Sequence, residues 1–301
     1  MSDLNYFDQK TKDECYIIAE AGLNHNGSIK IAKDLIDLAS DAGANAVKFQ
    51  KRTVNQLATS DYLLQEDNRF PTFGNTYKEI REHLEFDADQ YIELKKYTEE
   101  KNLDFIVTAF DIEAVDFLEN LNVEIFKLAS HSLTNVNLIK YLSKKQRPTI
   151  LSTGMSEVSE INTAVKIFKE NKCPLALMHC VSSYPTPMKD CNLALIDFLK
   201  DKYGVVTGYS GHELGYYPSV LAVAKGAKII ERHYTLDQSM EGFDHKMSLN
   251  PTEFRDMIKD IRSIAKIFGN KEKNVTQTEL ITRKKYHVSM VSKVDIKANQ
   301  I

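Results

Sequence analysis

The feature that most constrains the fold of this 301-residue chain is a regular alternation of short apolar segments with longer amphipathic segments. The apolar segments have the length and β-branched content of buried strands, and the amphipathic ones repeat apolar residues at helical spacing, as Ile31, Leu35 and Leu38 do. The expected strands are 16–21, 44–50, 104–110, 124–130, 148–153, 174–180, 205–210 and 228–234. Such alternation predicts an α/β fold with a parallel sheet. Eight units in about 250 residues, without a GxGxxG fingerprint, favour a closed (β/α)8 TIM barrel over an open sheet.

Composition narrows the possible classes of function. The net charge of -3 indicates neither a nucleic-acid partner nor a membrane surface. The sequence contains no run of about 18 apolar residues and no apolar signal-peptide core at its start. Its four cysteines (Cys15, Cys173, Cys180 and Cys191) lack CxxC spacing, which is typical of a reduced protein. We therefore expect a globular protein of the cytoplasm.

Two segments fall outside the alternation. Residues 51–86 form a long connection after the second strand, and connections of this length often act as lids or binding loops. Residues 271–301 are polar and end in one short strand pattern, HVSMVSKV over 287–294. A single strand has no partner to pair with. We expect a catalytic barrel over 1–270, followed over 271–301 by a linker and the first strand of a second domain that is missing.

The expected strands share one property at their carboxyl ends, where the chemistry of barrel enzymes takes place. Each delivers at least one polar side chain there, so all of these groups should meet on one rim of the barrel. In chain order they are Glu20, Lys48, Thr108, Lys127, Ser130, Ser152, Ser182, Tyr184, Ser210, His212, Glu231 and His233. A rim with this many polar groups predicts an active site.

The residue types on this rim indicate part of its chemistry. The two lysines and the hydroxyl groups supply cations and donors with few acceptors, which suits a phosphate or carboxylate. Since no Walker loop is present, a small phosphorylated metabolite is favoured over a nucleoside triphosphate. His212 and His233 end adjacent strands, where both imidazoles can meet one metal ion and leave positions open for water and substrate. Glu20 and Glu231 are candidates to orient hydroxyls, a metal-bound water or an imidazole.

Seven stretches of sequence, in order, resemble the motifs of the sialic acid synthase family. They are IIAEAGLNHNG, VKFQ, FKLAS, ILSTGM, HCVSSYPTP, GYSGHELG and ERHYTLD…GFDHKMSLNP, within residues 15–270. These nonulosonic acid synthases condense phosphoenolpyruvate with an N-acetylhexosamine. The resemblance implies a (β/α)8 barrel followed by a small antifreeze-like (SAF) domain, and a homodimer in which that domain covers the partner's site.

The resemblance also implies a role for each matching residue. The phosphoenolpyruvate site corresponds to Lys48, Thr108, Lys127, Ser130, Ser152, Ser182 and Ser210. The ligands of Mn²⁺ or Mg²⁺ correspond to His212 and His233, and the sugar contacts to Glu20, Tyr184 and Asp244. We count Glu20, Lys48, Lys127 and Glu231 as the catalytic candidates. The expected substrates are phosphoenolpyruvate and an N-acetylmannosamine-type sugar or its 6-phosphate, and the expected products are a sialic or related nonulosonic acid and phosphate.

Two other functions remain open at the level of sequence. The same histidine pair could serve another metal-dependent sugar aldolase or isomerase on this barrel. Alternatively, the chain is a catalytically silent relative that binds sugars or partner proteins, a hypothesis suggested by the missing second domain. Release of phosphate that requires both phosphoenolpyruvate and an aminosugar would separate the synthase from both.

Overall fold

A computed structural model of the protein describes residues 6–269 and 272–300. The strands form a closed, all-parallel barrel in which each pairs with the next in sequence and the eighth pairs with the first. They are β1 (Tyr16–Gly22), β2 (Ala46–Lys51), β3 (Asp104–Ala109), β4 (Phe126–Leu128), β5 (Thr149–Ser152), β6 (Leu175–Cys180), β7 (Val206–Gly211) and β8 (Ile229–His233). The prediction of a (β/α)8 barrel is confirmed.

Helices follow the strands around the outside of the barrel, with additional short helices in the connections. They are α1 (Tyr6–Lys10), α2 (Ile29–Ala42), α3 (Ser60–Leu63), α4 (Tyr77–Leu84), α5 (Ala88–Glu100), α6 (Ile112–Asn120), α7 (Val136–Ser143), α8 (Val158–Glu170), α9 (Leu195–Tyr203), α10 (Tyr217–Ala224), α11 (Pro251–Phe268) and α12 (Gln277–Tyr286). Side-chain caps set several of their starts: Asp87 and Gln90 form a capping box at α5. No helix among the described residues is both long and apolar enough to cross a bilayer.

The inward faces of the strands change from aliphatic to polar along the barrel axis. Ile18, Ile106, Ile150 and Ile229 belong to one buried cluster, to which α1 adds Phe7. Side chains two positions apart on a strand share a face. The residues two positions further along these four strands are Glu20, Thr108, Ser152 and Glu231. The aliphatic cluster therefore supports a polar layer at the carboxyl ends of the strands.

One charged residue of β8 points away from this interior. Arg232 is 1% exposed and lies between the barrel and its outer layer, where it forms an ion pair with the equally buried Glu213. Its guanidinium also donates to Ser219 Oγ at 3.0 Å and to the carbonyl oxygens of Glu213 and Gly215, each at 2.8 Å. Successive residues of β8 therefore point to opposite sides of the strand. Glu231 and His233 face the cavity, and Arg232 binds the outer layer.

The C-terminal unit, from Ile267 onwards, is separate from the barrel unit that ends at Lys266. Helix α12 begins at a capping box between Thr276 and Glu279. Residues 287–300 carry no regular secondary structure, so the strand expected over 287–294 does not form in the part of the chain that the structure describes. An isolated strand has no neighbour to pair its backbone groups. The assignment of residues 271–301 to a linker and the opening of a second domain stays a prediction.

The buried pair of Arg232 and Glu213 predicts a large effect on stability. Glu213→Ala leaves a buried guanidinium without its counter-charge and should lower the free energy of unfolding by about 3–5 kcal/mol. Replacing both partners, as Glu213→Ala with Arg232→Met, should recover much of this loss. Asp34→Ala, which breaks the exposed 2.8 Å pair with Lys30, is the control and should have a far smaller effect. Equal losses for the two single variants, measured by chemical denaturation, would contradict this account.

Candidate active site

A cavity of about 310 Å³ opens at the carboxyl ends of the strands. Every site residue predicted from the sequence lines it: Glu20, Lys48, Thr108, Lys127, Ser130, Ser152, Ser182, Tyr184, Ser210, His212, Glu231, His233 and Asp244. Substrates of (β/α)8 enzymes bind at this end of the barrel, so the cavity is the candidate active site. The structure brings the predicted residues together, while the roles assigned to them stay predictions.

Lys48 is surrounded by carboxylates. Its ammonium nitrogen lies 2.8 Å from Glu20 Oε2 and 3.6 Å from Glu231 Oε1, and it donates to Thr108 Oγ1 at 2.9 Å. Burial alone would lower the pKa of Lys48, but the charges of the two glutamates more than offset this and raise it. Lys48 is therefore a buried cation that the protein itself already neutralises.

Glu231 is the carboxylate that interacts electrostatically with both lysines. Burial would raise its pKa, but the charges of Lys127 and Lys48 outweigh burial and hold the pKa at about 2. Ser210 Oγ donates to Glu231 Oε1 at 3.1 Å, whereas the buried Oε2 has no hydrogen-bond partner among the described residues. Glu231 is thus an ionised acceptor with a free oxygen. The role predicted for Glu231, to orient a hydroxyl, a metal-bound water or an imidazole, stays a prediction.

Lys127 has a different environment from Lys48. Its ammonium donates to Ser152 Oγ at 2.7 Å and to the Leu128 carbonyl at 2.9 Å, and both partners are neutral. Burial lowers its pKa, and the more distant charge of Glu231 opposes this effect. A buried ammonium with neutral hydrogen-bond partners favours the binding of an anion. Of the two lysines in this cavity, Lys127 is therefore the one that is available to an anionic ligand.

The hydroxyl groups of Ser130 and Ser182 come close together because residue 154, which lies between them, is glycine. The backbone N–H of Gly154 donates to Ser130 Oγ at 3.0 Å. A Cβ atom at this position would lie 2.8 Å from Ser130 Oγ and 2.4 Å from Ser182 Oγ, closer than real contacts allow. Ser130, Ser182 and Ser152, which contacts the Lys127 ammonium, all line the cavity and supply hydroxyl donors that an anion can use.

The two histidines form the other end of the cavity. Their ring centroids lie 5.6 Å apart. Nδ1 of His212 lies 2.9 Å from the Val181 carbonyl, which accepts its proton, so the other nitrogen of the neutral ring is left as an acceptor. Nδ1 of His233 is buried without a hydrogen-bond partner, 3.8 Å from Asp244 Oδ2. Burial lowers the pKa of His233 and favours its neutral form, which is the form that binds metals.

Two predicted sugar contacts lie next to the histidines. The Tyr184 ring packs on His212 with centroids 4.2 Å apart and is 55% exposed, so it forms part of the cavity wall at the entrance. Asp244 faces His233 from the long connection after β8. The third predicted contact, Glu20, pairs in register with both Lys48 and His233. The sugar contacts and the histidines therefore share one side of the cavity.

Sequence reasoning missed several residues that line the cavity. Arg52 and Arg81 both come from the long connection after β2, so a search of strand ends could not find them. Cys180 also borders the cavity, with its sulfur 3.9 Å from His212 Nδ1. The one sequence feature that pointed to the two arginines was the length of the connection in which they lie, because long connections often supply binding residues.

The fold and the cavity define a barrel enzyme whose site combines buried lysines, paired imidazoles and ionised carboxylates at the carboxyl end of the strands. Such a site suits small anionic substrates. Residues 35–273 match the model of the NeuB family, and the chain belongs to this family.

Individual relatives agree with this membership. The chain is 44% identical over 248 residues to the N-acetylneuraminate-9-phosphate synthase of Drosophila melanogaster, covering 82% of this chain and 67% of the relative. It is 37% identical over 289 residues to the N,N'-diacetyllegionaminic acid synthase of Campylobacter jejuni, covering 95% and 86%. The solved N-acetylneuraminic acid synthetase of Leptospira borgpetersenii, in complex with citrate, superimposes with a TM-score of 0.78 at 36% identity and covers 92% of this chain and 94% of that one. The chain is a synthase-like enzyme.

Proposed function

We propose that this chain condenses phosphoenolpyruvate with an N-acetylmannosamine-type sugar, or with its 6-phosphate, to give a sialic or related nonulosonic acid and phosphate. The observation that carries the proposal is the unequal pairing of the two buried lysines. Lys48 is neutralised by Glu20 and Glu231, whereas Lys127 has neutral partners and is left for an anion. The proposal extends to a homodimer, which the resemblance to the family implies, and to a location in the cytoplasm, which the composition and the cysteines suggest.

Phosphoenolpyruvate would bind at the Lys127 end of the cavity. The Lys127 ammonium and the hydroxyl groups of Ser130, Ser152 and Ser182 would donate to its phosphate and carboxylate oxygens. Each charge-assisted bond of this kind contributes about 1.5–3 kcal/mol. Thr108 and Ser210 complete this set through their contacts with Lys48 and Glu231.

The sugar would bind on the side of Glu20, Tyr184 and Asp244. The carboxylates accept hydrogen bonds from sugar hydroxyls, and the Tyr184 ring gives the sugar an apolar face to pack against. Glu231, ionised and with a free Oε2, lies between the two substrates and can accept a proton or hold a water molecule. Fixing both substrates in one cavity converts a bimolecular encounter into an oriented one.

The residues at the histidine end fit a divalent metal, Mn²⁺ or Mg²⁺. The fit rests on the unpartnered Nδ1 of His233 and on the Val181 carbonyl that fixes the ring of His212. No group of three or more His, Cys, Asp or Glu side chains within residues 6–269 and 272–300 is placed to hold a metal, so water and substrate would complete its coordination. When bound, the metal supplies Lewis-acid polarisation of the sugar aldehyde.

Phosphoenolpyruvate, the sugar and water together supply all the atoms of the two products, so the reaction consumes no cofactor. C3 of phosphoenolpyruvate forms the new bond to the aldehyde carbon of the open-chain sugar, and that carbonyl oxygen takes up a proton to become a hydroxyl. Water adds at C2, and the resulting tetrahedral carbon loses phosphate by cleavage of its C–O bond. The product is a 2-keto sugar acid.

The first test measures phosphate release with phosphoenolpyruvate and a panel of N-acylated mannosamine-type sugars. We expect phosphate to appear when both substrates are present and not when either is omitted. A sugar isomerase or aldolase would convert sugar without phosphoenolpyruvate, and a silent relative would do neither. Release that does not depend on the sugar would refute the proposal.

Lys127→Ala should weaken phosphoenolpyruvate binding roughly tenfold to a hundredfold, because one charge-assisted contact is lost. Calorimetric titration of phosphoenolpyruvate into wild type and variant measures this. Lys166→Ala, at a lysine of α8 whose side chain is 75% exposed, is the matched control and should bind as wild type does. Equal affinities of the Lys127 variant and the control would show that the anion binds elsewhere.

Removal of metal should abolish activity, and Mn²⁺ or Mg²⁺ should restore it. Titration of Mn²⁺ into chelator-treated protein should detect one site in wild type and lose it in His233→Ala, since two imidazoles supply the protein ligands. His287→Ala, which changes a histidine of the C-terminal unit, is the control. If metal-stripped protein in chelator keeps full activity, the assignment of His212 and His233 fails.

A further inference from the structure

Two arginines of the cavity have no part in the function proposed above. Arg52 follows β2 directly, and Arg81 lies in α4, within the long connection that the sequence marks as a binding loop. Both side chains line the same cavity as the lysines and histidines. Two guanidinium groups that face a substrate cavity require an explanation, because arginine is well suited to bind phosphate.

Arg52 is buried but incompletely paired. It is 8% exposed, and its guanidinium lies over the Phe110 ring at 3.8 Å. Nη2 donates to Gln50 Oε1, whereas Nη1 is buried without a hydrogen-bond acceptor and has its closest carboxylate oxygen, Glu85 Oε1, at 4.0 Å. A buried N–H group without an acceptor is costly, and a ligand oxygen would remove that cost.

Arg81, near the end of the same connection, is also packed against aromatic rings and incompletely paired. Its guanidinium lies over the Phe243 ring at 4.5 Å and the Tyr77 ring at 5.0 Å. Its Nε is buried and has no hydrogen-bond acceptor among the described residues. The aromatic rings thus pack against both guanidiniums, and each guanidinium keeps one buried N–H group without an acceptor that an oxygen of a ligand could fill.

The carboxylates nearby do not balance these charges. Glu85 is shared, because its Oε2 also accepts from Lys51 Nζ at 3.1 Å. Asp67 is engaged by the guanidinium of Arg69 through several hydrogen bonds. Burial, and then the charge of Arg81, lower the pKa of Arg52 to about 10. The region therefore holds an excess of positive charge that an anion would relieve.

The connections of these arginines lead to the sugar side of the cavity. Arg52 contacts Gln50, whose Nε2 in turn donates to Glu20 Oε1 at 2.7 Å. Arg81 packs on Phe243, the chain neighbour of Asp244. Glu20 and Asp244 are the proposed sugar contacts, whereas Lys127 and Ser152 stand on β4 and β5. Arg52 also packs on Phe110, whose ring contacts His131 beside Ser130, so Arg52 lies between the two ends of the cavity and Arg81 lies on the sugar side.

We infer that Arg52 and Arg81 form a second anion-binding subsite, which takes the phosphomonoester of a phosphorylated N-acylated hexosamine. The inference rests on the proposed function and deepens it, because it selects the sugar 6-phosphate over the neutral sugar. The arginines set which sugar is preferred, and the condensation itself is carried out by the residues already described.

The test compares N-acetylmannosamine 6-phosphate with N-acetylmannosamine. Wild type should have the higher kcat/KM for the phosphorylated sugar, and Arg81→Gln should lower the ratio of the two kcat/KM values by about tenfold to a hundredfold, the loss expected for a charge-assisted bond. Arg81→Lys, which keeps the charge but not the bidentate geometry, should lose less. Lys78→Gln on the same helix, which breaks an exposed 3.5 Å pair with Glu82 outside the cavity, is the control and should keep the wild-type ratio.

Three results would overturn the inference: a wild type that prefers the neutral sugar, an equal loss with both sugars, or a loss confined to the KM of phosphoenolpyruvate. The proposed function fails separately, if wild type releases phosphate with neither sugar. In that case, calorimetric titration of the two sugars still decides the inference. Binding of the 6-phosphate that exceeds binding of the neutral sugar and is weakened in Arg81→Gln would support it, and equal binding would refute it.

Discussion

The closure and register of the barrel determine the chemistry of this protein. Because the strands are parallel and paired in register, Glu20 of β1 lies beside Lys48 of β2 on one side and His233 of β8 on the other. The same register places Thr108 beside Lys127, and Ser210 beside Glu231. A shift of one residue in any strand would turn its polar group outwards. The ionisable groups therefore meet in one buried layer only while every strand keeps its register.

The two lysines and two glutamates of this layer balance in charge, and the layer can bind a ligand because the carboxylates pair with only one of the lysines. Lys48 lies close to two carboxylates, and the lysines in turn keep Glu231 ionised despite its burial. Lys127, with a serine hydroxyl and a backbone carbonyl as its hydrogen-bond partners, is the lysine whose charge is available to an anionic ligand. The cavity is thus divided between an anion end at β4 and β5 and a carboxylate and imidazole end at β1 and β8, as a reaction between an anionic and a sugar substrate requires.

The barrel and the members of its polar layer could be predicted from the sequence because both depend on strand period. Residues two apart share a face, so identifying the strand ends also identified Glu20, Lys48, Thr108 and Glu231. Which lysine is neutralised could not be predicted, since that depends on distances across the barrel. Arg52 and Arg81 were missed because the long connection positions them by tertiary contacts, including stacking on Phe110 and Phe243. The strand expected over 287–294 reflected local β-propensity, which does not form a strand without a neighbour.

The central claim is that the chain joins phosphoenolpyruvate to a sugar with loss of phosphate by C–O cleavage. Phosphoenolpyruvate labelled with ¹⁸O in its bridging oxygen tests this most directly, with the sugar acid and the released phosphate both analysed by mass spectrometry. The account predicts that the label leaves with the inorganic phosphate and that a sugar acid enlarged by the three phosphoenolpyruvate carbons is formed. Unlabelled phosphate, which indicates cleavage of the P–O bond, or the absence of any enlarged sugar acid would contradict it.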